Sequence, residues 1–436
     1  MVRPFTFDRE RSAKRGSASR ISSLIIFALV SLLLVACSNP PTPTPHPPAA
    51  QSPAPAASQA AQVPQPSLLP APAEAHTTAA VDPATAWGNQ LQPQSVPVAL
   101  DGDQVFVPIT VTPDGQSLIG SAIARQFGTA PGRLVLYEID SRAVTEIRRL
   151  PTPMTQVIGA AADQEWIVWS EAAQQPSFVD WTLYAYNRTT RDTTQVAAAP
   201  TDSAGKPVSS PFLLPRLDRG VVVWAEGIPG AADQFGIAIK TANLANGKIE
   251  TLSSSGLTPA ISWPNVAWVE IQAEESVQAP GARKGLVVVQ NLETGQKTQL
   301  QTIDTPLFFN LYGDTIVWIN VTGKQIVVTD LAETRQQVIA HTDDLDETFQ
   351  FPTINERLIA WIGYKKAQVW DRQQQRLVTL EDGKGQLTEF VNGQALVWTV
   401  PGSVSEEQRQ ADRRAGLRPN DGSLHLLKTS QLPAQP

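Results

Sequence analysis

The chain has one cysteine in 436 residues, Cys37. A single thiol excludes an intrachain disulfide and a cysteine metal cluster. Only four histidines are present, and just two of them, His341 and His425, lie beyond residue 96. That is a thin basis for a zinc site or for nucleophilic catalysis, and both read as ordinary surface residues. No H-E-x-x-H, no G-x-S-x-G and no glycine-rich phosphate loop occurs. Charged residues make up only 17% of the chain, and the net charge is −7. No basic face stands out, so DNA and RNA are poor partners for this sequence. Long helical periodicity is absent.

The first 36 residues read as an address. Arg3, Arg9, Arg11, Lys14, Arg15 and Arg20 precede the apolar run 21–36, ISSLIIFALVSLLLVA. At 16 residues this run is shorter than the roughly 20 that span a bilayer, and it ends in small residues, as a secretory signal does. The tetrapeptide Leu34-Val35-Ala36-Cys37 resembles the lipobox of bacterial lipoproteins. The resemblance implies cleavage before Cys37 and lipid on its thiol, hence an extracytoplasmic domain anchored to the cell membrane. An uncleaved anchor with an incidental cysteine is the alternative. The leader carries six bases and two acids, so the remainder is near −11.

Residues 39–72 contain no Asp, Glu, Lys or Arg and are dense in proline. Proline fixes φ and removes a donor, so helix and sheet are both disfavoured. Residues 37–95 are therefore expected to be a disordered tether of polyproline character, and His46 and His76 lie within it.

From about residue 98 short apolar runs alternate with Gly, Asn, Asp and Pro, the pattern of many antiparallel strands. One run recurs: aliphatics and then tryptophan, ending at Trp169, Trp224, Trp268, Trp318, Trp361 and Trp398. The steps are 55, 44, 50, 43 and 37 residues, a propeller period. Ser117–Ala122 holds the same place without a tryptophan. A second run follows each, ending at Asp140, Asn187, Asn243, Asn291, Asp330 and Asp371.

These units resemble TolB-like and WD-type propeller repeats. Val111-Thr112-Pro113-Asp114-Gly115 before Ser117-Leu118-Ile119, and the turn through Thr294-Gly295, carry the likeness. It implies an all-β chain with a single propeller over 96–436, of about seven four-stranded blades or alternatively six. The last unit, 396–427, lacks an outer strand. Val96–Leu100 or Gln104–Ile109 would complete it and close the ring. The tryptophans are expected to pack between blades.

No catalytic constellation emerges. The expected role is a membrane-tethered binding or scaffold protein that recognises a protein, peptide or envelope polymer through one face of the ring. The alternative is an extracytoplasmic carbohydrate-active or quinone-type enzyme built on the propeller. Three tryptophan strands continue to an acid two residues on: Glu171, Glu226 and Glu270. With Asp343, Asp344, Asp346 and Glu347 of one linker they are expected to form an acidic recognition face. Its ligand would be a basic partner or calcium, the one cofactor considered. Alternatively these acids pair with arginines such as Arg283, Arg409, Arg413 or Arg414.

Overall fold

A computed structural model describes residues 67–73, 79–173, 178–208, 210, 214–230, 236–270, 286–302, 306–320, 322–363, 365–382 and 389–433. Cys37 and the segment 1–36, expected as a signal, lie outside this set. Seven antiparallel sheets form a propeller ring. Blades 1 to 6 span 104–149, 156–198, 216–253, 256–301, 308–341 and 350–382. Blade 7 takes three strands from 389–428, and its outer strand is Gln94–Pro97 from the other end of the chain. Of the two sequence candidates for that strand, the one beginning at Val96 overlaps it, while Gln104–Val111 is the inner strand of blade 1.

Each tryptophan run is the second strand of its blade. In Trp166–Ala172, Ile167 to Ala172 are all buried, whereas the outer strand of the same blade, Thr193–Ala198, has no fully buried residue. A strand near the axis packs on both faces against neighbouring blades. Its apolar residues therefore run continuously instead of alternating. Trp268 joins Val223 and Ile239 of blade 3 and Phe309 of blade 5 in one apolar cluster. Gly256 is fixed by this packing: a Cβ there would lie 2.4 Å from Ile239 Cγ1 and 2.8 Å from Trp268 Cδ1.

The blades are latched at the ends of their inner strands. Asp163 of blade 2 accepts the Gly220 N–H of blade 3 at 2.6 Å, and Asp218 of blade 3 accepts the Trp263 N–H of blade 4 at 2.7 Å. Ser262 then accepts the Gly313 N–H at 2.9 Å, and Asn355 donates to the Gly393 carbonyl at 2.9 Å. Asn392 donates to Val111 O of blade 1 at 2.7 Å, across the closing seam.

Of the residues expected as tether, 67–73 and 79–95 lie against the blades. Ser67–Leu68 pairs in parallel with the outer strand of blade 4, and Leu69 N donates to Gln301 O at 3.1 Å. Ala73 exchanges hydrogen bonds with the outer strand of blade 5 through Gln336 O and Val338 N. Val81 does the same on blade 6 through Leu377 O and Thr379 N. A short helix, Pro83–Trp87, follows, capped by Asp82, and the chain then enters blade 7. Outer strands present unpaired backbone groups, and an extended segment satisfies them without needing charge or helix propensity. Leu69, at 2% exposure, and Trp87, at 5%, supply the buried apolar surface.

Trp87 also closes a polar clasp. Its indole donates to Asp371 Oδ2 at 2.9 Å, the Arg357 guanidinium lies 3.2 Å from the same oxygen, and Arg357 donates to Leu432 O at 3.3 Å. Both arms of the chain thus meet on one buried ion pair of blade 6.

Candidate functional site

Antiparallel four-stranded blades put two kinds of connection on each face. One face carries the turns from first to second and from third to fourth strand, which are short: 163–165 and 188–192 in blade 2, for example. The other carries the second-to-third and blade-to-blade connections. Those include 125–132, 199–215, 342–349 and 401–422, the last containing a nine-residue helix, Glu406–Arg414. Long loops on a rigid frame are where binding surfaces are built. Phe127 and Leu345 lie in them and Met154 in the blade 1–2 connection 150–155; they are 48%, 91% and 42% exposed.

The three glutamates approach this face but do not present free charge on it. Glu171 is buried. It receives Trp169 Nε1 at 3.3 Å and a two-pronged bond from Arg148 of blade 1, with Nη2 at 2.8 Å. Glu226 receives Trp224 Nε1 at 2.9 Å and lies 3.4 Å from Lys240 Nζ. Glu270 receives Trp268 Nε1 and the hydroxyls of Ser253 and Ser255. Side chains two apart on a strand share a side, so the carboxylate of each Trp-x-Glu reaches back to its own indole. Their partners are not Arg409, Arg413 or Arg414, and Arg283 lies outside the described residues. Each of the expected face residues Glu171, Glu226 and Glu270 therefore satisfies an indole N–H that would be costly left alone; Glu171 is buried, while Glu226 and Glu270 are half-buried.

The remaining blades show the same logic. Trp318 donates to Thr329 Oγ1 at 3.0 Å, Asn320 standing where the glutamate would be. Gly363 and Val400 offer no acceptor, and the buried Nε1 atoms of Trp361 and Trp398 have no hydrogen-bond partner among the described residues.

The linker acids stay at the surface in part. Asp343 is almost fully exposed and lies 3.3 Å from His341 Nε2. Asp344 pairs with Lys365, whose ammonium holds its carboxyl below the ordinary value. Asp346 is exposed, while Glu347 is buried. Lys324 donates to the carbonyls of Asp344 and Glu347, tying the loop to blade 5. Leu345 stands at its tip. Among the described residues no three His, Cys, Asp or Glu side chains gather as metal ligands. Of the two histidines, His425 is not an ordinary surface residue. It packs edge-on to Trp398 with ring centres 5.4 Å apart, and burial lowers its pKa.

Charge is gathered instead around the loop 401–422. Arg125 of blade 1 pairs with Asp412 of the helix at 3.0 Å. Phe127 N donates to Gly416 O at 3.1 Å, Arg418 N donates to Arg125 O at 2.8 Å, and the Arg418 guanidinium lies 5.0 Å from the Phe127 ring centre. Two cavities take residues from both sides of this seam. One, of about 280 Å³, is lined by Arg125, Arg409, Asp412, Arg413, Leu417 and Asp421 among others. The second, of about 330 Å³, is lined by apolar groups such as Ile123, Leu150 and Val157 and by polar ones such as Ser121, Gln126 and Thr155, with Arg418 among them. Sequence reasoning passed over both because their residues are some 290 positions apart; only the long loop itself was a signal.

No protein-family model matches the chain, and no curated protein matches it. Solved structures do. An oligogalacturonate lyase in complex with manganese is 11% identical over 65% of this chain and 79% of that chain, with a TM-score of 0.44. A prolyl endopeptidase is 8% identical over 69% of this chain and 46% of that chain, at 0.49. A post-proline cleaving enzyme from Rickettsia typhi is 8% identical over 70% and 51%, at 0.47. This chain is similar to them at levels that carry no argument about its activity.

Proposed function

We propose that this protein is an extracytoplasmic binding protein, held at the cell membrane by lipid on Cys37, that recognises a protein partner through the long-loop face of its propeller. The observation that carries the reading is the asymmetry of the two faces. One bears short turns, and the other bears the long loops with Phe127 and above all Leu345 in the open. Leu345 is held 91% exposed on a loop tied down by Lys324, where a rigid frame offers it to a partner. The acids beside it, Asp343, Asp344 and Asp346, rim that contact.

The test is photo-crosslinking in the native envelope. A crosslinking residue at Leu345 or Phe127 should capture a discrete protein. The same residue at Glu293 or Glu333, in turns of the opposite face, should capture none. Equal capture from both faces, or capture only from the short-turn face, overturns the reading.

A further inference from the structure

The inner strand of blade 3, Arg216–Asp218, carries an arginine where the neighbouring blades carry neutral side chains. Arg216 pairs across the sheet with Val223, the residue before Trp224. The same position is Ala161 in blade 2, Ala260 in blade 4, Asn310 in blade 5, Thr353 in blade 6 and Phe390 in blade 7. Arg216 is the one charge on this level of blades 2 to 7. An alanine suffices there in both flanking blades, so packing alone does not call for a guanidinium.

Three other arginines enclosed by the fold are partnered. Arg357 pairs with Asp371 at 3.2 Å, Arg372 donates to Asn355 O at 2.7 Å, and Arg418 donates to Ala124 O at 2.8 Å. Arg216 has no hydrogen-bond or ion-pair partner among the described residues. Burial holds its pKa down at about 10. A charge taken out of water without a partner is costly. Cross-strand neighbours share a side, and Val223 belongs to the apolar cluster of Trp268, so Arg216 turns toward blade 4. Asp218, two residues on, points the same way, since it accepts the Trp263 N–H. From blade 4 the inner strand Gly256–Ser262 faces back. Gly256 stands against Ile239 of blade 3, and Thr258, two residues on, shares that side. Thr258 sits within a bulge at φ 46°, a backbone conformation that β-branched residues rarely adopt. Its buried hydroxyl has no hydrogen-bond partner among the described residues. One seam thus carries an unpartnered guanidinium on one wall and an unpartnered hydroxyl on the other.

We infer that the inner seam between blades 3 and 4 binds a small organic carboxylate, with Arg216 as its counter-charge and Thr258 as a second donor. The planar fork of a guanidinium matches the two oxygens of a carboxylate, and a threonine hydroxyl donates to a remaining lone pair. A phosphate dianion fits less well, because Asp218 faces the same seam two residues from Arg216. Arg216 is half-buried and not sealed, so a small ligand reaches it from the middle of the ring. The site lies inside the propeller and stands whether or not the long-loop face binds a protein.

The test reads thermal melting of the full chain, purified in detergent, in sodium acetate, sodium chloride and sodium phosphate at equal ionic strength. A ligand that binds only the folded state raises the melting temperature with its concentration. The quantity compared is the rise in the unaltered chain less the rise in Arg216→Gln, which cancels the general effect of each salt on folding. That difference should be about 1 °C or more in acetate and clearly smaller in chloride and phosphate. Thr258→Val should reduce the acetate rise. Arg335→Gln, an exposed arginine of blade 5, should keep it in full. Without acetate, Arg216→Gln should melt no lower than the unaltered chain, because it removes a charge that nothing in the fold pairs. An acetate rise that persists in Arg216→Gln, or an unaltered chain indifferent to acetate, overturns the inference. So does an equal difference in chloride or phosphate, which marks a general anion site. An Arg216→Gln chain that melts several degrees lower without acetate overturns it as well, since the guanidinium then serves the fold alone. The envelope crosslinking from Leu345 is unaffected by any of these results, so the two proposals fail separately.

Discussion

Trp224 donates its indole hydrogen to the carboxylate of Glu226, two residues on in the same strand, at 2.9 Å. Trp169 with Glu171 and Trp268 with Glu270 repeat the relationship in the flanking blades. Glu226→Ala should therefore cost about 1–3 kcal/mol, the penalty of a buried donor left alone, while Glu226→Gln keeps an acceptor and should cost less. Chemical denaturation of both variants checks this. An alanine variant as stable as the unaltered chain would show that water replaces the carboxylate.

Trp87 and the tryptophans of the blades should behave alike. Trp87→Ala removes a side chain buried against blade 6 together with one partner of Asp371, and should cost about 3–5 kcal/mol. Trp268→Ala and Trp318→Ala should cost a similar amount. A Trp87→Ala chain that unfolds at the same denaturant concentration as its parent would mean that the segment 79–97 contributes nothing to the ring.

Asp218 offers a test in pH. Its burial, helped by the charge of Asp163, raises its carboxyl above the ordinary value, although the Trp263 N–H and Arg219 pull the other way. An acid whose folded pKa is raised contributes stability that is fully present below its unfolded pKa and is lost as pH rises through the folded one. Asp218→Asn removes that loss and still accepts from Trp263. The variant should be the more stable chain at pH 7, and the difference should fade below about pH 4. Thermal melts across this range decide it. A variant less stable at pH 7 would mean that the charged latch outweighs its burial.

Lipid attachment is tested at its one residue. Cys37→Ser should leave the leader uncut and abolish metabolic labelling with a fatty acid. A serine variant that is still processed and membrane-bound removes the anchor from the proposed function.

Much of the architecture was legible in the chain. The recurrence of aliphatic-aliphatic-Trp every 37 to 55 residues marks a strand buried on both sides, and a ring of like sheets provides that burial many times over. The missing outer strand of the last unit pointed to the other end of the chain, where Gln94–Pro97 supplies it. The segment before it was harder. Proline and the lack of charge in 39–72 argue against autonomous structure, and composition is silent about pairing with an edge that already exists. One local signal was there: Asp82-Pro83 followed by Trp87 is a helix start with a large side chain behind it.

The Trp-x-Glu spacing shows how a correct observation can support two readings. Alternation along a strand put each acid on the side of its tryptophan, and that much follows from sequence. Whether the carboxylate faces solvent or the indole depends on what stands on the neighbouring strand and blade: Arg148, Lys240, Ser253. Those partners come from elsewhere in the chain, and only the tertiary structure brings them there. By itself the sequence determined what local period and composition control, namely the recurrent strands; the blade count stayed at seven or six and the closing strand between two candidates. The tertiary structure decided what each carboxylate meets, because a carboxylate's role is set by neighbours within a few ångströms, and here those neighbours are joined by folding rather than by the chain.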